Sequence, residues 1–210
     1  MAQFFSLCSE SPQPRLIRQA TNIIREGGLI AFPTDSAYAL GGRVGDAVLL
    51  DRIRRLRGVD ARHHFTLLCR DLSEIATFAR VDNVQYRMLK ASTPGPYTFI
   101  LEATRELPRR MLHPKRKTIG IRVPEHPVVG ALLAELGEPL LSSTLLLPGE
   151  EEPPTDAWEI RERLEKEVDL VIEAGACRPE ATTVIDLSRG APELVRVGCG
   201  SLEPFGLVAG

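Results

Sequence analysis

The feature that most constrains the fold of this chain is a regular alternation of helix-length and strand-length segments up to Leu147. Residues 11–28 carry apolar side chains at helical spacing and end in two glycines, which predicts a helix, and the apolar run 29–32 predicts the strand after it. The same patterns predict helices over 46–57, 71–79, 83–92 and 126–137, and strands over 65–69, 97–103, 118–123 and 139–147. Alternating helices and strands with short connections are typical of an α/β fold.

The pattern changes after Leu147. A linker-like stretch, PGEEEPPTD, leads into a charged surface helix over 156–168, and three strand-like runs follow over 169–175, 182–187 and 193–198. The last strands lack the intervening helices that parallel crossovers need, so the sheet should be mixed. We therefore expect one domain over residues 1–210, with a core of about 12–200 and a twisted mixed sheet flanked by helices.

The composition narrows the class of protein. A hydrophobic content of 43% with 26% charged residues is ordinary for a globular chain, and a net charge of −2 gives no overall attraction to nucleic acid or membrane. No apolar run approaches the ~20 residues of a membrane span, and the N-terminus lacks the pattern of a signal peptide. The four cysteines form no CxxC pair, which favours free thiols in a reducing compartment. We expect a cytoplasmic protein without a membrane partner.

Several common catalytic templates are missing from the sequence. No GxGxxG follows a strand, and neither GxxxxGK[ST], HExxH nor GxSxG occurs. The four histidines have no metal-ligand spacing, and the adjacent pair His63 and His64 is expected to be a solvated part of a loop. No metal site is predicted.

The remaining signal is cationic. One basic cluster surrounds the end of the second helix and another precedes the strand at 118–123; their members are Arg52, Arg54, Arg55, Arg57 and Arg62, and Arg109, Arg110, Lys115, Arg116 and Lys117. Each cluster alone is typical of a solvated surface, and cations suit the last turn of a helix. Two clusters in a nearly neutral chain favour an anionic ligand. Arg57 stands just before Gly58, where the chain leaves the helix and the guanidinium can turn toward a cleft.

Two further arginines interrupt apolar strands. Arg122 in TIGIRV and Arg196 in ELVRVG must each be paired or face a cleft, because an unpaired buried charge is costly. Two alternatives stay open for both: an ion pair with Asp35 or Asp186, or a role in binding carboxylate and phosphate groups, which the planar guanidinium suits. With the two basic clusters, these arginines predict a concave pocket for anions.

Several motifs resemble those of the YrdC-like family. FPTDSAYALGG resembles its strand-exit motif PTDT-x-Y-G-L, TPGPYTFIL its PGP-x-T segment, and TIGIRVPEHP its T-x-x-x-R-x-P-x-H-P segment. TTVIDL and LVRVG resemble its closing strands. The motifs keep the family's order and cover nearly the whole chain, and the overall sequence is most similar to the YciO branch.

The resemblance implies a YrdC-like α/β fold with a concave basic cleft and the chemistry of the threonylcarbamoyl-adenylate synthases. These nucleotidyltransferases join L-threonine, bicarbonate and ATP, with Mg²⁺ arriving on the ATP, for modification of adenosine 37 of tRNA. No tightly bound metal or organic cofactor is expected. The alternative is a non-catalytic protein that binds tRNA or double-stranded RNA through the same cleft. Monomer and homodimer both stay open.

The family's functional residues carry over by motif. The resemblance assigns catalytic roles to Arg55, Arg57 and Arg122, and contacts with threonine or its carbamate to Thr34, Arg122, Thr144 and Arg196. It assigns nucleotide contacts to Arg55, Arg57, His64, Thr118 and Thr155, the last with the weakest alignment.

This chain departs from the family pattern at four places. Thr144-Leu145-Leu146 replaces a Ser-Ala-Asn triplet, Arg55 replaces a lysine, Ser36 a threonine and Cys69 a histidine. An alkyl chain in place of the Asn amide removes a hydrogen bond to a charged ligand, at a cost of about 1.5–3 kcal/mol. The departures predict a site that keeps its charge but has altered geometry, with weak or altered activity.

Overall fold

The structure is a computed structural model that describes residues 1–208. Within these residues the strands are β1 Gln3–Ser6, β2 Ile30–Phe32, β3 Ala39–Arg43, β4 Thr66–Leu68, β5 Tyr97–Glu102, β6 Thr118–Arg122, β7 Leu140–Thr144, β8 Leu170–Glu173, β9 Thr183–Asp186 and β10 Glu193–Arg196. The helices are α1 Pro14–Arg25, α2 Ala47–Arg57, α3 Leu72–Phe78, α4 Asn83–Ser92, α5 Pro127–Leu136 and α6 Ala157–Leu164. Two short 3-10 helices occupy Arg109–Met111 and Glu203–Phe205.

The strands form a single mixed sheet in the order β1-β8-β2-β3-β7-β4-β6-β5-β9-β10. Strand β8 pairs in parallel with β1 and β2, and β9 pairs in parallel with β5, whereas β10 pairs antiparallel to β9. The mixed sheet was predicted correctly. The three closing strands nevertheless separate to opposite ends of the sheet, and two of them find parallel partners much earlier in the chain.

Helices cover both faces of the sheet. On one face, α1 and α5 pack against each other and against the apolar side chains of β2 and β8. On the other face, buried side chains of α2, α3, α4 and α6 join a larger core with β3 to β7. Burial of each large aliphatic or aromatic side chain contributes about 1.5–3 kcal/mol, so the packing of helices on both faces of the sheet is the main source of stability.

The second helix shows how local sequence positions a site residue. The Asp46 side chain caps α2 by accepting hydrogen bonds from the backbone amides of Val48 and Leu49. The helix ends at Gly58, which takes the left-handed conformation with φ of 61°. The chain therefore leaves the helix at Gly58, as predicted, and Arg57 is the last helical residue, with its side chain beside the end of β7.

Two strands, β1 and β3, were not predicted from the sequence pattern. In β3, a side chain at Gly41 would place its Cβ 2.5 Å from the Leu141 carbonyl oxygen, and one at Gly42 would lie 2.7 Å from Leu49. Close packing therefore requires glycine, a residue that weakens the strand signal in sequence. Strand β1 and the buried Phe205 also lie outside the expected core of about 12–200.

Two predictions concern the whole chain. The cysteines Cys8, Cys69, Cys177 and Cys199 are all free, as predicted. Among residues 1–208, none of the helices has the length and apolarity needed to cross a membrane.

Candidate functional site

A cavity of about 430 Å³ opens where the end of α2, the loop before β4 and the end of β7 meet the strands β5, β9 and β10. Its lining combines cations, hydroxyl groups and apolar side chains. The lining residues are Arg57, Arg62, His63, His64, Thr66, Thr98, Ile100, Ser143, Thr144, Thr182, Val184, Val195 and Arg196. Two members of the first basic cluster, Arg57 and Arg62, therefore meet polar strand residues at one concave site, whereas no member of the second cluster lines it.

Arg57 is held by three neighbours. Its Nη1 donates to the Ser143 hydroxyl at 2.7 Å and lies 2.8 Å from Nε2 of His63, while its Nε donates to the Leu146 carbonyl at 3.4 Å. All three are uncharged acceptors, because His63 accepts as a neutral ring. Burial, with a smaller contribution from Arg196, lowers the pKa of Arg57 to about 10, which leaves it a full cation at neutral pH.

Arg196, at the end of β10, lines the same cavity. Its guanidinium donates to the Thr182 carbonyl at 2.9 and 3.1 Å and to the Thr182 hydroxyl at 3.1 Å, again neutral acceptors. A register shift in β10 between Leu194 and Arg196 interrupts the alternation of side chains, so Val195 and Arg196 both line the cavity. The predicted alternative of an ion pair between Arg196 and Asp186 is wrong, since Asp186 pairs with Arg116 at 3.4 Å.

Within residues 1–208, no carboxylate forms an ion pair with either of these two arginines. Nine ion pairs occur within residues 1–208, and none of them includes Arg57 or Arg196. Burial lowers the pKa of both groups, and each is partly shielded from solvent. Two partly buried cations in one cavity repel each other, so an anion between them would relieve an unfavourable charge arrangement.

Arg122 has a different environment. It is buried, forms an ion pair with Asp35, and donates from Nη2 to the Thr34 hydroxyl at 3.3 Å. The ion-pair alternative for this residue is therefore confirmed. Its Nε, together with Oδ2 of Asp35 and Nδ1 of His126, is buried without a hydrogen-bond partner in the described part of the chain. Neither Thr34 nor Arg122 lines the cavity.

The Thr34 hydroxyl organises the turn after β2. It donates to the Ala37 carbonyl at 2.7 Å and accepts from the Ser36 amide at 3.1 Å, in addition to accepting from Arg122. The hydroxyl is 3.1 Å from the Ser36 hydroxyl as well. Its hydrogen-bonding capacity is thus used by the loop and by Arg122 of β6, and a ligand contact would require exchange of one of these bonds.

A second group of predicted residues surrounds His64. Its Nε2 lies 3.1 Å from the Thr118 hydroxyl, and its ring stacks on His113 with centroids 4.9 Å apart. Burial and the neighbouring His113 lower the pKa of His64, which favours the neutral ring. His64 lines the main cavity, whereas Thr118 lines a smaller adjoining polar pocket that includes Arg116.

Three other predicted residues have contrasting positions. Thr144 lines the cavity at the end of β7. Arg55 lies on the exposed side of α2, and Thr155 is exposed immediately before the N-cap of α6, so neither borders the cavity. At Leu146, the backbone carbonyl contacts Arg57, and this contact does not depend on the side chain at that position.

Two residues in contact with Arg57, His63 and Ser143, were not predicted as site residues. The expectation that the His63–His64 pair is solvated is wrong, because both rings are partly buried in the cavity wall. Burial and the nearby cations lower the pKa of His63 to about 4. Ser143 directly precedes the Thr144 of the recognised triplet, and this adjacency was the available sequence signal.

A helix-flanked mixed sheet that opens into an arginine-lined cavity defines an α/β protein of the YrdC fold with a basic cleft. Residues 22–198 match the Sua5–YciO–YrdC family, which carries the description "telomere recombination". The chain belongs to this family.

Relatives of two kinds lie within the family. YciO of Escherichia coli K12 is 53% identical over 205 residues, which cover 98% of this chain and 100% of that protein, and its crystal structure superposes with a TM-score of 0.95. The threonylcarbamoyl-AMP synthase of Pyrococcus abyssi is 30% identical over 196 residues, or 92% of this chain but 57% of that protein. The crystal structure of P. abyssi Sua5 complexed with L-threonine is 28% identical over 95% of this chain and 58% of that one, with a TM-score of 0.86.

Proposed function

We propose that this protein is a nucleotidyltransferase of the threonylcarbamoyl-AMP synthase type, which converts L-threonine, bicarbonate and ATP into threonylcarbamoyl-adenylate for modification of adenosine 37 of tRNA. One observation carries the proposal. Arg57 and Arg196 line one cavity, and within residues 1–208 both donate hydrogen bonds only to uncharged acceptors, so their charges are available to an anionic ligand. Carboxylate, carbamate and phosphate are the anions that an arginine fork fits best.

The arrangement suggests a division of roles. Arg57 is proposed to hold the phosphates and the new carbamate, with His64 and Thr118 on the nucleotide side. Arg196 and Thr144 are proposed to face the threonine carbamate. Arg55 and Thr155, assigned by motif, would reach the nucleotide only from the exposed rim.

Arg122 and Thr34 are proposed to serve the amino-acid side from behind the cavity. Two buried atoms there, Nε of Arg122 and Oδ2 of Asp35, have no partner within residues 1–208. A free donor beside a free acceptor matches the carboxylate and ammonium groups of an amino acid. Entry of threonine would exchange the bonds that now hold the turn after β2.

The reaction depends mainly on positioning and charge. Bicarbonate takes up a proton and loses water to give carbon dioxide, and the threonine amine attacks its carbon and loses a proton to give the carbamate. A carbamate oxygen then bonds to the α-phosphorus as the bond from this phosphorus to the pyrophosphate oxygen breaks, and pyrophosphate leaves. Arg57 and Arg196 would stabilise charge that builds up on carbamate and phosphate oxygens, and holding the reactants together would lower the entropic barrier.

Magnesium is proposed to enter as part of the ATP substrate. Among the residues described, 1–208, no group of three or more His, Cys, Asp or Glu side chains is placed to hold a metal ion. The nucleotide phosphates can carry Mg²⁺ with its own waters, as the ion prefers.

The proposal is tested by pyrophosphate release. Purified protein supplied with ATP, Mg²⁺, bicarbonate and L-threonine should release pyrophosphate in proportion to threonine, with L-serine and no amino acid as comparisons. A rate no higher than the buffer blank at high protein concentration would overturn the proposed reaction.

The contact between the two basic clusters favours one alternative function, a non-catalytic protein that binds tRNA or double-stranded RNA. The two basic clusters touch, since Arg54 Nη2 donates to the Arg110 carbonyl at 3.3 Å and Arg110 Nη2 donates to the Gly45 carbonyl at 2.6 Å. RNA affinity that falls steeply with salt would support this alternative, because each phosphate contact releases counterions. Thermal shifts with ATP, AMP, threonine and RNA would separate the two functions.

A further inference from the structure

We propose that His63 is the positioning residue of Arg57: its neutral Nε2 and the Ser143 hydroxyl fix the guanidinium at the cavity wall, ready for an anionic group. This inference rests on the proposed function, because it concerns how the same site holds phosphate or carbamate. It assigns a role to a histidine that the family motifs leave without one.

The contacts form a closed triangle. Arg57 Nη1 lies 2.8 Å from His63 Nε2 and 2.7 Å from Ser143 Oγ, and these two acceptors are 3.0 Å apart. A guanidinium can only donate, so Nε2 must present its lone pair and the ring proton must be on Nδ1. Both Nη1–H groups and Nε–H are then engaged, and Nη2 has no partner within residues 1–208 and is available to a ligand.

The backbone between the two residues brings them together. Gly58 ends α2 in the left-handed conformation, and Asp60 forms a turn by accepting from the Arg62 and His63 amides at 2.8 and 3.2 Å. The His63 ring then packs edge-on against the buried Phe65, with centroids 5.5 Å apart. His63 is thus fixed by the loop and by the core, and it can orient Arg57 rather than follow it.

The charges around His63 keep it neutral. The ionisable groups that face it are Arg57, His64, Arg196 and Arg54, and all of them disfavour a second cation there. Burial is the larger cause, and together they lower the pKa of His63 to about 4. A neutral acceptor holds Arg57 without cancelling its charge, whereas a carboxylate in the same place would neutralise it.

Positioning matters because a free arginine side chain loses much rotational freedom when it binds a ligand. If His63 and Ser143 have already fixed the guanidinium, the ligand does not have to order it. Removal of the His63 acceptor should therefore weaken anion binding only as long as Arg57 is present. This conditional effect separates positioning from a general structural role.

The test measures pyrophosphate binding by isothermal titration calorimetry in a double-mutant cycle. We expect His63→Leu to weaken affinity about tenfold, and His63→Gln, whose amide oxygen can replace Nε2, to stay within about twofold of wild type. In an Arg57→Ala background, His63→Leu should cause no further loss. Arg87→Ala, which removes an exposed arginine on α4, is the charge control, and thermal unfolding checks that each variant is folded.

The possible results distinguish the positioning role of His63 from the proposed reaction. The inference is overturned if His63→Leu binds like wild type, if it weakens binding equally without Arg57, or if ¹⁵N NMR finds the His63 proton on Nε2. If wild type binds no pyrophosphate at all, the inference and the proposed function both fall. If the cycle behaves as expected but no threonine-dependent pyrophosphate is released, only the proposed reaction falls.

Discussion

Arg122 and Asp35 form a buried ion pair that joins the end of β6 to the turn after β2. Their side chains are 7% and 12% exposed, so water could solvate neither charge well if its partner were removed. The pair also holds Thr34, whose hydroxyl accepts from the same guanidinium nitrogen that contacts Asp35. The turn that carries the recognised PTD motif is therefore anchored electrostatically from across the sheet.

Loss of the Asp35 charge should destabilise the protein strongly. Asp35→Asn leaves Arg122 as an uncompensated buried cation, and we expect the free energy of unfolding to fall by about 3–5 kcal/mol. Urea denaturation at pH 7 measures the change. Asp60→Asn is a matched control, because its ion pair with Arg62 at 3.7 Å is exposed, and that variant should change stability by less than about 1 kcal/mol. Equal effects of the two substitutions would contradict the buried pair.

Arg57 should be essential for turnover. Arg57→Ala removes a cation that faces the cavity, and we expect threonine-dependent pyrophosphate release to fall at least a hundredfold, as for loss of a charge that stabilises a transition state. Arg57→Lys keeps the charge but loses the planar guanidinium and its paired donors, so it should retain only part of the wild-type rate. Arg122→Ala should also abolish activity. Full activity in both alanine variants would show that the residues of the site are wrongly assigned.

The side chain of Leu146 should limit nucleotide affinity. Leu146→Asn restores the amide that the family triplet carries, while the backbone carbonyl at 146 can still accept from Arg57. We expect kcat/KM for ATP to rise roughly ten- to a hundredfold, equivalent to about 1.5–3 kcal/mol. Leu146→Ala separates the new amide from mere loss of the alkyl chain. An equal gain in the alanine variant would exclude a role for the amide.

His63 should make stability depend on pH. Its pKa is lowered from the ordinary 6.5 to about 4, so the unfolded chain binds more protons between these values and stability falls as pH drops through this range. We expect the His63 contribution to fall by about 1–2 kcal/mol between pH 6.5 and 5. Urea denaturation of wild type and His63→Gln at both pH values isolates this contribution. An identical pH dependence in the variant would mean that His63 does not titrate as described.

Glycine in β3 should be irreplaceable on steric grounds. In Gly41→Ala the new Cβ would lie 2.5 Å from the Leu141 carbonyl oxygen, so adjacent strands must move apart and we expect a loss of about 1–3 kcal/mol. Gly130→Ala on α5 meets nothing within 4 Å and should stabilise by up to about 1 kcal/mol through helix propensity. Thermal unfolding of both variants tests the contrast, and a neutral Gly41→Ala would contradict the strand packing.

Much of the architecture was predictable because local pattern and tertiary structure agree. The amphipathic repeat of α1, the Asp46 cap of α2 and the Gly58 stop all specify their elements locally. Strand β3 was not predictable in this way. Its two glycines are selected by close contacts with Leu141 and Leu49, which only the assembled sheet creates.

The positive charge of the site was predictable from the sequence, but the groups that its arginines contact were not. The sequence shows that Arg122 and Arg196 interrupt strands, yet it cannot show that one finds Asp35 while the other finds the neutral Thr182. The β10 register shift that directs Arg196 into the cavity has no local signature. His63 was missed for a related reason, because its role depends on a turn that returns the chain to Arg57.

The sheet order has a consequence for biosynthesis. Strand β8 lies between β1 and β2 and joins β1 to the sheet. Strand β1 therefore cannot pair until residues 170–173 of β8 have been synthesised. On a ribosome, about four-fifths of the chain must be made before that edge can close. Pairing over such a long sequence separation slows folding. Until β8 pairs with β2, the unpaired edge of β2 can aggregate with strands of other chains. We expect the nascent protein to depend on chaperones until β8 has emerged from the exit tunnel.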